Sequence, residues 1–221
     1  PPAGPPDDDV DEDAGPAILA SLPEPEQAWV VDVEQSVILP LTVVNAGPLV
    51  AELHVTVEGV PAEWVDVDPA EFHLNERASR MVIVTVTPPR LPTSRAGTYH
   101  LSLVATSPDN YPGERSEARA DITINPYYEI AVSNPSPRRQ SIAWSQPSGQ
   151  VELPLANKGN SEAWVGLTGE DDERAARFEF PVPGEMDEAL QLTRQVNLHL
   201  PFDTAIRVPV EIIPGNRPLI G

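Results

Sequence analysis

Cysteine is absent from this sequence, lysine occurs once, at Lys158, and phenylalanine, tryptophan and tyrosine together make up 5% of its 221 residues. Without cysteine there are no disulfides and no thiolate metal sites, and the compartment stays open, because many bacterial surface domains also lack it. Positive charge is scarce: 14 Lys and Arg stand against 34 acids, a formal charge of -20. The densest basic pair is Arg138 and Arg139, so nucleic acid and anionic membrane are not expected partners. Long apolar runs are missing as well. The longest uncharged one, Ser36 to Ala51, is interrupted by Pro40, Asn45 and Gly47 and is too short to cross a bilayer, so no membrane insertion is expected.

Catalytic signatures are also lacking. There is no Gly-x-Ser-x-Gly elbow, no His-Glu-x-x-His, no glycine-rich phosphate loop before a lysine, and no cysteine nucleophile. Paired carboxylates for glycoside hydrolysis sit in aromatic-lined clefts, which so few aromatic residues do not favour. The sequence therefore assigns no catalytic residue, no cofactor-binding residue and no metal ligand, and an enzyme is not expected.

What is present is proline and alternation. Twenty-seven prolines are spread along the chain and exclude long helices. Val37, Leu39, Leu41 and Val43 share one strand face; Ala51, Leu53, Val55 and Val57 share another; and the "NAGPLV" between them supplies turn chemistry. Further strands are predicted at Trp64 to Val67, Glu71 to Leu74, Arg80 to Thr87, Thr98 to Thr106 and Ala118 to Asn125. Loops such as "TPPRLPTSRAG" and "SPDNYPGE" separate them. Seven or eight short strands of this kind fit a β-sandwich. Its core is expected to contain Val37, Leu39, Leu41, Val43, Leu53, Val55, Val57, Val82, Val84, Leu101 and Leu103, and Asn45 and Gly47 are expected to serve turn geometry.

The pattern repeats. Leu41, Val43, Asn45, Gly47, Ala51, Leu53 and Val55 recur 112 residues later as Leu153, Leu155, Asn157, Gly159, Ala163, Val165 and Leu167. Farther on, Val82, Val84, Val86 and Pro88 align with Val208, Val210, Ile212 and Pro214, which leaves extra residues between Phe180 and Val196 for a loop or short helix. After Pro88 the first copy continues into two more strands, whereas the second has only "GNRPLIG". The second copy is thus expected to lack its last two strands and to be completed by a longer chain or by strands added from a partner.

This organisation gives three segments. Residues 1–26 read as an acidic, proline-rich linker, with six acids between Asp7 and Asp13. Residues 27–125 read as the first sandwich and residues 126–221 as a second, divergent one. The seam "INPYYEIAVSNPSP" is short and proline-restricted, as in a semi-rigid rod. The sequence opens on Pro1-Pro2, with neither an initiating Met nor a signal-peptide core, and is expected to come from something larger.

Three histidines of the first copy, His54, His73 and His100, could in number hold zinc. Their parity places them opposite the apolar residues beside them, on solvent faces of separate strands; His199 lies between Leu198 and Leu200. Asp66 and Asp68, with Glu63 nearby, offer two carboxylates on one strand face, and Asp171 and Asp172 offer two more. None lies in a glycine-bounded calcium loop, so solvated faces and loop tips are the simpler account. Trp29 and Trp64 read as packing residues.

From Val57 to Pro89 the chain resembles the bacterial immunoglobulin-like domains associated with alpha-galactosidase NPCBM modules. The resemblance rests on Asn45 and Gly47, on Gly59, Pro61 and Trp64, on the short strand Val65 to Pro69 and on the long strand Val82 to Pro88, followed by "GTYHLSLVATSPDN". It spans roughly residues 28–125. The second copy departs from it, with "ARFEF" where the tryptophan segment should be. The resemblance implies a β-sandwich used as spacer or binding module, with no catalytic residues to transfer.

The expected fold is therefore all-β, with two tandem immunoglobulin-like sandwiches, the second incomplete. The expected function is a noncatalytic spacer or docking module in a larger bacterial protein or assembly, at the cell surface or within that assembly. Its expected partner is another protein or the remainder of a larger chain, joined by strand addition at the second domain. Two alternatives are an accessory glycan-binding module of a surface hydrolase and a structural component of a phage-tail-like or secretion apparatus.

Overall fold

The computed structural model describes residues 15–25, 27–181 and 192–215. Contacts divide the chain into two compact units, unit 1 comprising Pro1–Pro89 with Gly97–Asn125 and unit 2 comprising Arg90–Ala96 with Pro126–Gly221. The first domain was expected to run without a break from 27 to 125. Arg90–Ala96 instead groups with unit 2, where the Ala96 N–H donates to the Asn160 carbonyl and Asn160 Nδ2 donates to the Ser94 carbonyl.

Among the described residues unit 1 has nine strands: β1 (Ile18–Ser21), β2 (Trp29–Val31), β3 (Val37–Asn45), β4 (Ala51–Glu58), β5 (Val65–Asp68), β6 (Glu71–Leu74), β7 (Ser79–Val86), β8 (Gly97–Ser107) and β9 (Tyr111–Ile124). One sheet has the order β1-β3-β7-β5 and the other β2-β9-β8-β4-β6; only β2 and β9 run parallel. In immunoglobulin terms β1, β3, β7 and β5 take the places of strands A, B, E and D, while β4, β8 and β9 take C, F and G. The fold is an all-β, immunoglobulin-like sandwich with two added edge strands.

The period-two pattern sets the faces. Along β3 inward residues alternate with partly exposed ones, and Leu39, Leu41 and Val43 have no exposed surface. The rest of the expected core is buried with them, except Val57, which is half-exposed. Pairing of β6 with β4 ends at His54, so Val57 is flanked by β8 alone. The "NAGPLV" segment carries the chain from one sheet to the other and closes no hairpin.

Two strands lie where loop or linker was expected. β1 falls inside the stretch 1–26: Ile18 pairs opposite Asn45 and is 1% exposed. β9 starts at Tyr111, inside "SPDNYPGE", because Tyr111 pairs with Ser107 after a register shift in the β8–β9 hairpin.

Unit 2 repeats part of this plan with β10 (Ile130–Val132), β11 (Gly149–Asn157), β12 (Ala163–Thr168), β13 (Ala176–Pro181), β14 (Leu192–Thr193), β15 (Gln195–Leu200) and β16 (Ala205–Pro214). One sheet has the order β10-β11-β16-β13-β14, and β12 and β15 form a second sheet of two. Registers match unit 1 residue for residue. Ile130 lies opposite Asn157 as Ile18 lies opposite Asn45, Leu153 opposite Val208 as Leu41 opposite Val82, and Ala163 opposite Leu200 as Ala51 opposite Leu74. "ARFEF" supplies β13, the counterpart of β5, since Phe178 pairs with Ile212 as Val65 pairs with Val86. Of the extra residues, 182–191 lie outside the described ones, and Leu192–Thr193 is a short strand on β13 rather than loop or helix. Among the described residues nothing takes the places of β8 and β9.

Candidate functional site

The histidines are not brought together. His54, His73 and His100 lie on three strands of one sheet, each facing its own acid: His54 faces Glu71 at 3.4 Å, His73 faces Glu52 at 3.9 Å and His100 faces Asp121 at 2.7 Å. His54 is the least exposed of the three. In unit 2 His199 meets Glu162 at 2.9 Å and stacks on the exposed Trp164, with ring centroids 4.8 Å apart. No cluster of three or more metal-ligating residues occurs among the described residues.

The carboxylates fall equally apart. Asp66 and Asp68 are exposed on β5. Asp171 organises its own loop, its carboxylate accepting the N–H groups of Glu173 (3.3 Å), Ala175 (2.8 Å) and Ala176 (2.9 Å). Asp172, Arg138 and Arg139 are exposed. Glu117 on β9 is held below the usual carboxylate range, first by the Ser102 hydroxyl at 2.6 Å and then by Arg119 at 2.8 Å, an exposed surface pair. Trp64 is buried at the end of a 3-10 turn (Ala62–Trp64), edge-on to Tyr99 at 5.8 Å, while Trp29 is partly buried on β2. Gly59 precedes that turn at φ +102, and a Cβ there would lie 2.1 Å from the His100 carbonyl oxygen, so only glycine fits.

The repeated asparagine is a buried staple. Asn45 Nδ2 donates to the carbonyls of Leu49 (2.7 Å), Leu74 (3.1 Å) and Asn75 (3.2 Å), tying the end of β3 to the end of β6 in the opposite sheet. Its Oδ1 accepts the Gly47 N–H and the Tyr111 hydroxyl, both at 3.2 Å. Asn157 makes the same donations to Ser161, Leu200 and Pro201, and its Oδ1 accepts the Gly159 N–H at 3.0 Å. The two glycines have different reasons. A Cβ on Gly47 would lie 2.2 Å from the Tyr111 hydroxyl, and one on Gly159 would lie 2.5 Å from the Tyr127 carbonyl oxygen. Asn45 holds the turn through the Gly47 N–H and the Leu49 carbonyl, whereas glycine at 47 is required by the close approach of Tyr111 on β9 and not by a left-handed backbone.

The candidate site lies where, among the described residues, no strand takes the places of β8 and β9. In unit 1, β4 is paired on both edges, by β6 over Ala51–His54 and by β8 over His54–Glu58. In unit 2, β12 is paired by β15 alone among the described residues. Burial registers the difference. Ile18, Leu41, Leu53, Val55 and Val86 are at most 3% exposed, whereas their repeat positions Ile130, Leu153, Val165, Leu167 and Ile212 are only partly buried. These five pack against a smaller buried core of Val151, Leu155, Phe180, Val196, Leu200, Val208 and Val210. The site is an apolar sheet face beside a β edge that no described residue pairs, able to accept main-chain hydrogen bonds and alternate side chains.

No protein-family model matches the sequence, and no curated protein matches it. Among solved structures, the chain is similar to a Porphyromonas gingivalis protein of unknown function at 14% identity and a TM-score of 0.36, over 89% of this chain and 83% of that one. It is also similar to a PapD-like domain of human CEP192 (13%, TM-score 0.30, 49% and 84%) and to the class 5 fimbriae chaperone CfaA (12%, TM-score 0.28, 81% of each). Overlap at this level says nothing about activity or partners; the immunoglobulin-like assignment rests on strand order. No helix among the described residues is long and apolar enough to cross a membrane.

Proposed function

We propose that the chain is a noncatalytic docking and spacer module of tandem immunoglobulin-like domains, of the NPCBM-associated type, which attaches to its partner protein through unit 2. The observation that carries this reading is that, among the described residues, β12 is paired on one edge only, beside apolar residues whose counterparts in unit 1 are buried. Fully burying a Val, Leu or Ile side chain is worth about 1.5–3 kcal/mol, so several half-covered ones give an incoming strand a driving force before any hydrogen bond is counted. Unit 1, closed by β8 and β9, serves as the spacer. The glycan-binding alternative gains nothing from Trp64, which is buried, and Trp29 is only partly exposed.

The test is co-purification of the native assembly with the full chain and with a Leu167→Asp variant. A partner retained by the former and lost by the latter supports docking at this edge. Equal retention moves the docking surface elsewhere, and enzyme-like turnover by the purified chain contradicts the reading.

A further inference from the structure

We infer that the solvent face of the sheet formed by β12 and β15 binds a neutral saccharide, one pyranose ring stacking on Trp164 and its hydroxyl groups bonding to the amides of Asn197 and Gln195. The inference does not rest on the docking reading, which concerns the edge of β12 and its inner face. The outward positions of this sheet are paired as Trp164↔His199, Gly166↔Asn197 and Thr168↔Gln195. Unit 1 supplies the comparison. There the first two pairs are Glu52↔His73 and His54↔Glu71, each an imidazole facing a carboxylate, at 3.9 Å and 3.4 Å. In unit 2 Trp164 stands in the place of Glu52, and Gly166 and Asn197 stand in the places of His54 and Glu71. A lone exposed tryptophan needs no explanation. This one is held in place: His199 stacks on it with ring centroids 4.8 Å apart and 32° between the planes, and Glu162 holds the imidazole Nε2 at 2.9 Å. His199 covers one face of the indole, yet Trp164 is 74% exposed, so the other face is open to solvent. Beside it the surface is cleared. A Cβ on Gly166 would meet only Asn197 Oδ1, at 3.3 Å, and among the described residues neither the Asn197 nor the Gln195 side chain has a hydrogen-bond partner.

An open aromatic plane flanked by unpaired amides suits a sugar. The C–H face of a pyranose is apolar and lies flat on an indole, while its rim hydroxyls both donate and accept, as a side-chain amide does with its NH2 and carbonyl. A protein partner suits it less, because the middle of a protein interface is apolar, whereas on this face Trp164 is accompanied only by glycine and polar residues. Outward positions on one strand recur about every 6.8 Å, so the three pairs span about 14 Å, which takes more than one linked ring. Acidic sugars are disfavoured by Glu162 beside the stack and by the formal charge of -20.

The experiment titrates the full chain with cellohexaose, xylohexaose, chitohexaose and maltohexaose, following the Trp164 indole N–H by nuclear magnetic resonance. The expected result is saturable binding of at least one of them in the millimolar range, with a shift of that signal. Trp164→Ala should weaken binding about ten-fold or more. Asn197→Ala should weaken it about three-fold or more. Trp144→Ala, also at an exposed tryptophan, should leave it unchanged. The indole shift is read in the parent chain, so the inference stays testable even where a variant unfolds. No shift of the Trp164 signal with any of the four sugars at tens of millimolar overturns the inference, and so does binding that survives Trp164→Ala intact. Tighter binding of hexagalacturonate than of the neutral sugars overturns the choice of a neutral ligand.

Discussion

At the scale of single residues, the asparagine staple and its glycine make the clearest predictions. Asn45 is wholly buried and satisfies three carbonyls, one N–H and one hydroxyl, so Asn45→Ala strands several buried groups and should cost about 2–4 kcal/mol in denaturant melts. Gly47→Ala and Gly159→Ala should both destabilise, and a second substitution tells them apart. Combining Gly47→Ala with Tyr111→Ala relieves the clash, so the two costs should be clearly less than additive. No side-chain change relieves Gly159→Ala, because its obstacle is the Tyr127 backbone. Glu117 supplies a small pH-dependent contribution. Its carboxyl is lowered in the folded state, so the contribution is complete above the usual carboxylate range and disappears as the pH falls through the lowered value. Glu117→Gln should therefore lower stability at neutral pH, and the gap to the parent should close in acid titration followed by circular dichroism.

At the scale of elements, matched substitutions in the repeat separate closed from open sandwich. Val55 on β4 and Leu167 on β12 hold the same repeat position, one buried and the other only partly buried. Val55→Asp places a charge in a sealed core and should unfold unit 1, a cost of more than about 4 kcal/mol. Leu167 is only partly buried, so Leu167→Asp should cost unit 2 clearly less than Val55→Asp costs unit 1; comparable losses in melting temperature would mean that β12 is covered. Strand faces such as those of β3, β4 and β7 were legible in the sequence because a half-buried strand writes its environment with period two. Three features were less legible. β1 is four residues between an acidic run and Pro23, too short to show a period, although Ile130 pointed back to Ile18 through the repeat. Pro112 and Gly113 disguised the start of β9 as a loop, and the role of Gly47 depends on Tyr111, a neighbour only in the fold. The placing of β10 and β12 in unit 2 was legible, because Asn157 and Ala163 repeat Asn45 and Ala51 at a constant offset.

At the scale of the molecule, the two units differ in how much of one shared plan they complete. Among the described residues, unit 1 surrounds its core with two sheets of four and five strands, and unit 2 sets two strands against five. Less apolar burial means less stability, so calorimetry should resolve two transitions, with unit 2 melting first. A bound partner should raise the lower one only. The most direct measurement of the central claim, that β12 carries a free edge, is residue-resolved hydrogen exchange of the purified chain. The account expects protection to alternate along Ala163–Thr168: amides bonded to β15 exchange slowly and those facing outward exchange fast, whereas in β4 the outer edge is protected over His54–Glu58, where β8 pairs with it, so the contrast lies at Gly166–Thr168. Uniform protection of β12, equal to that of β4, would contradict it.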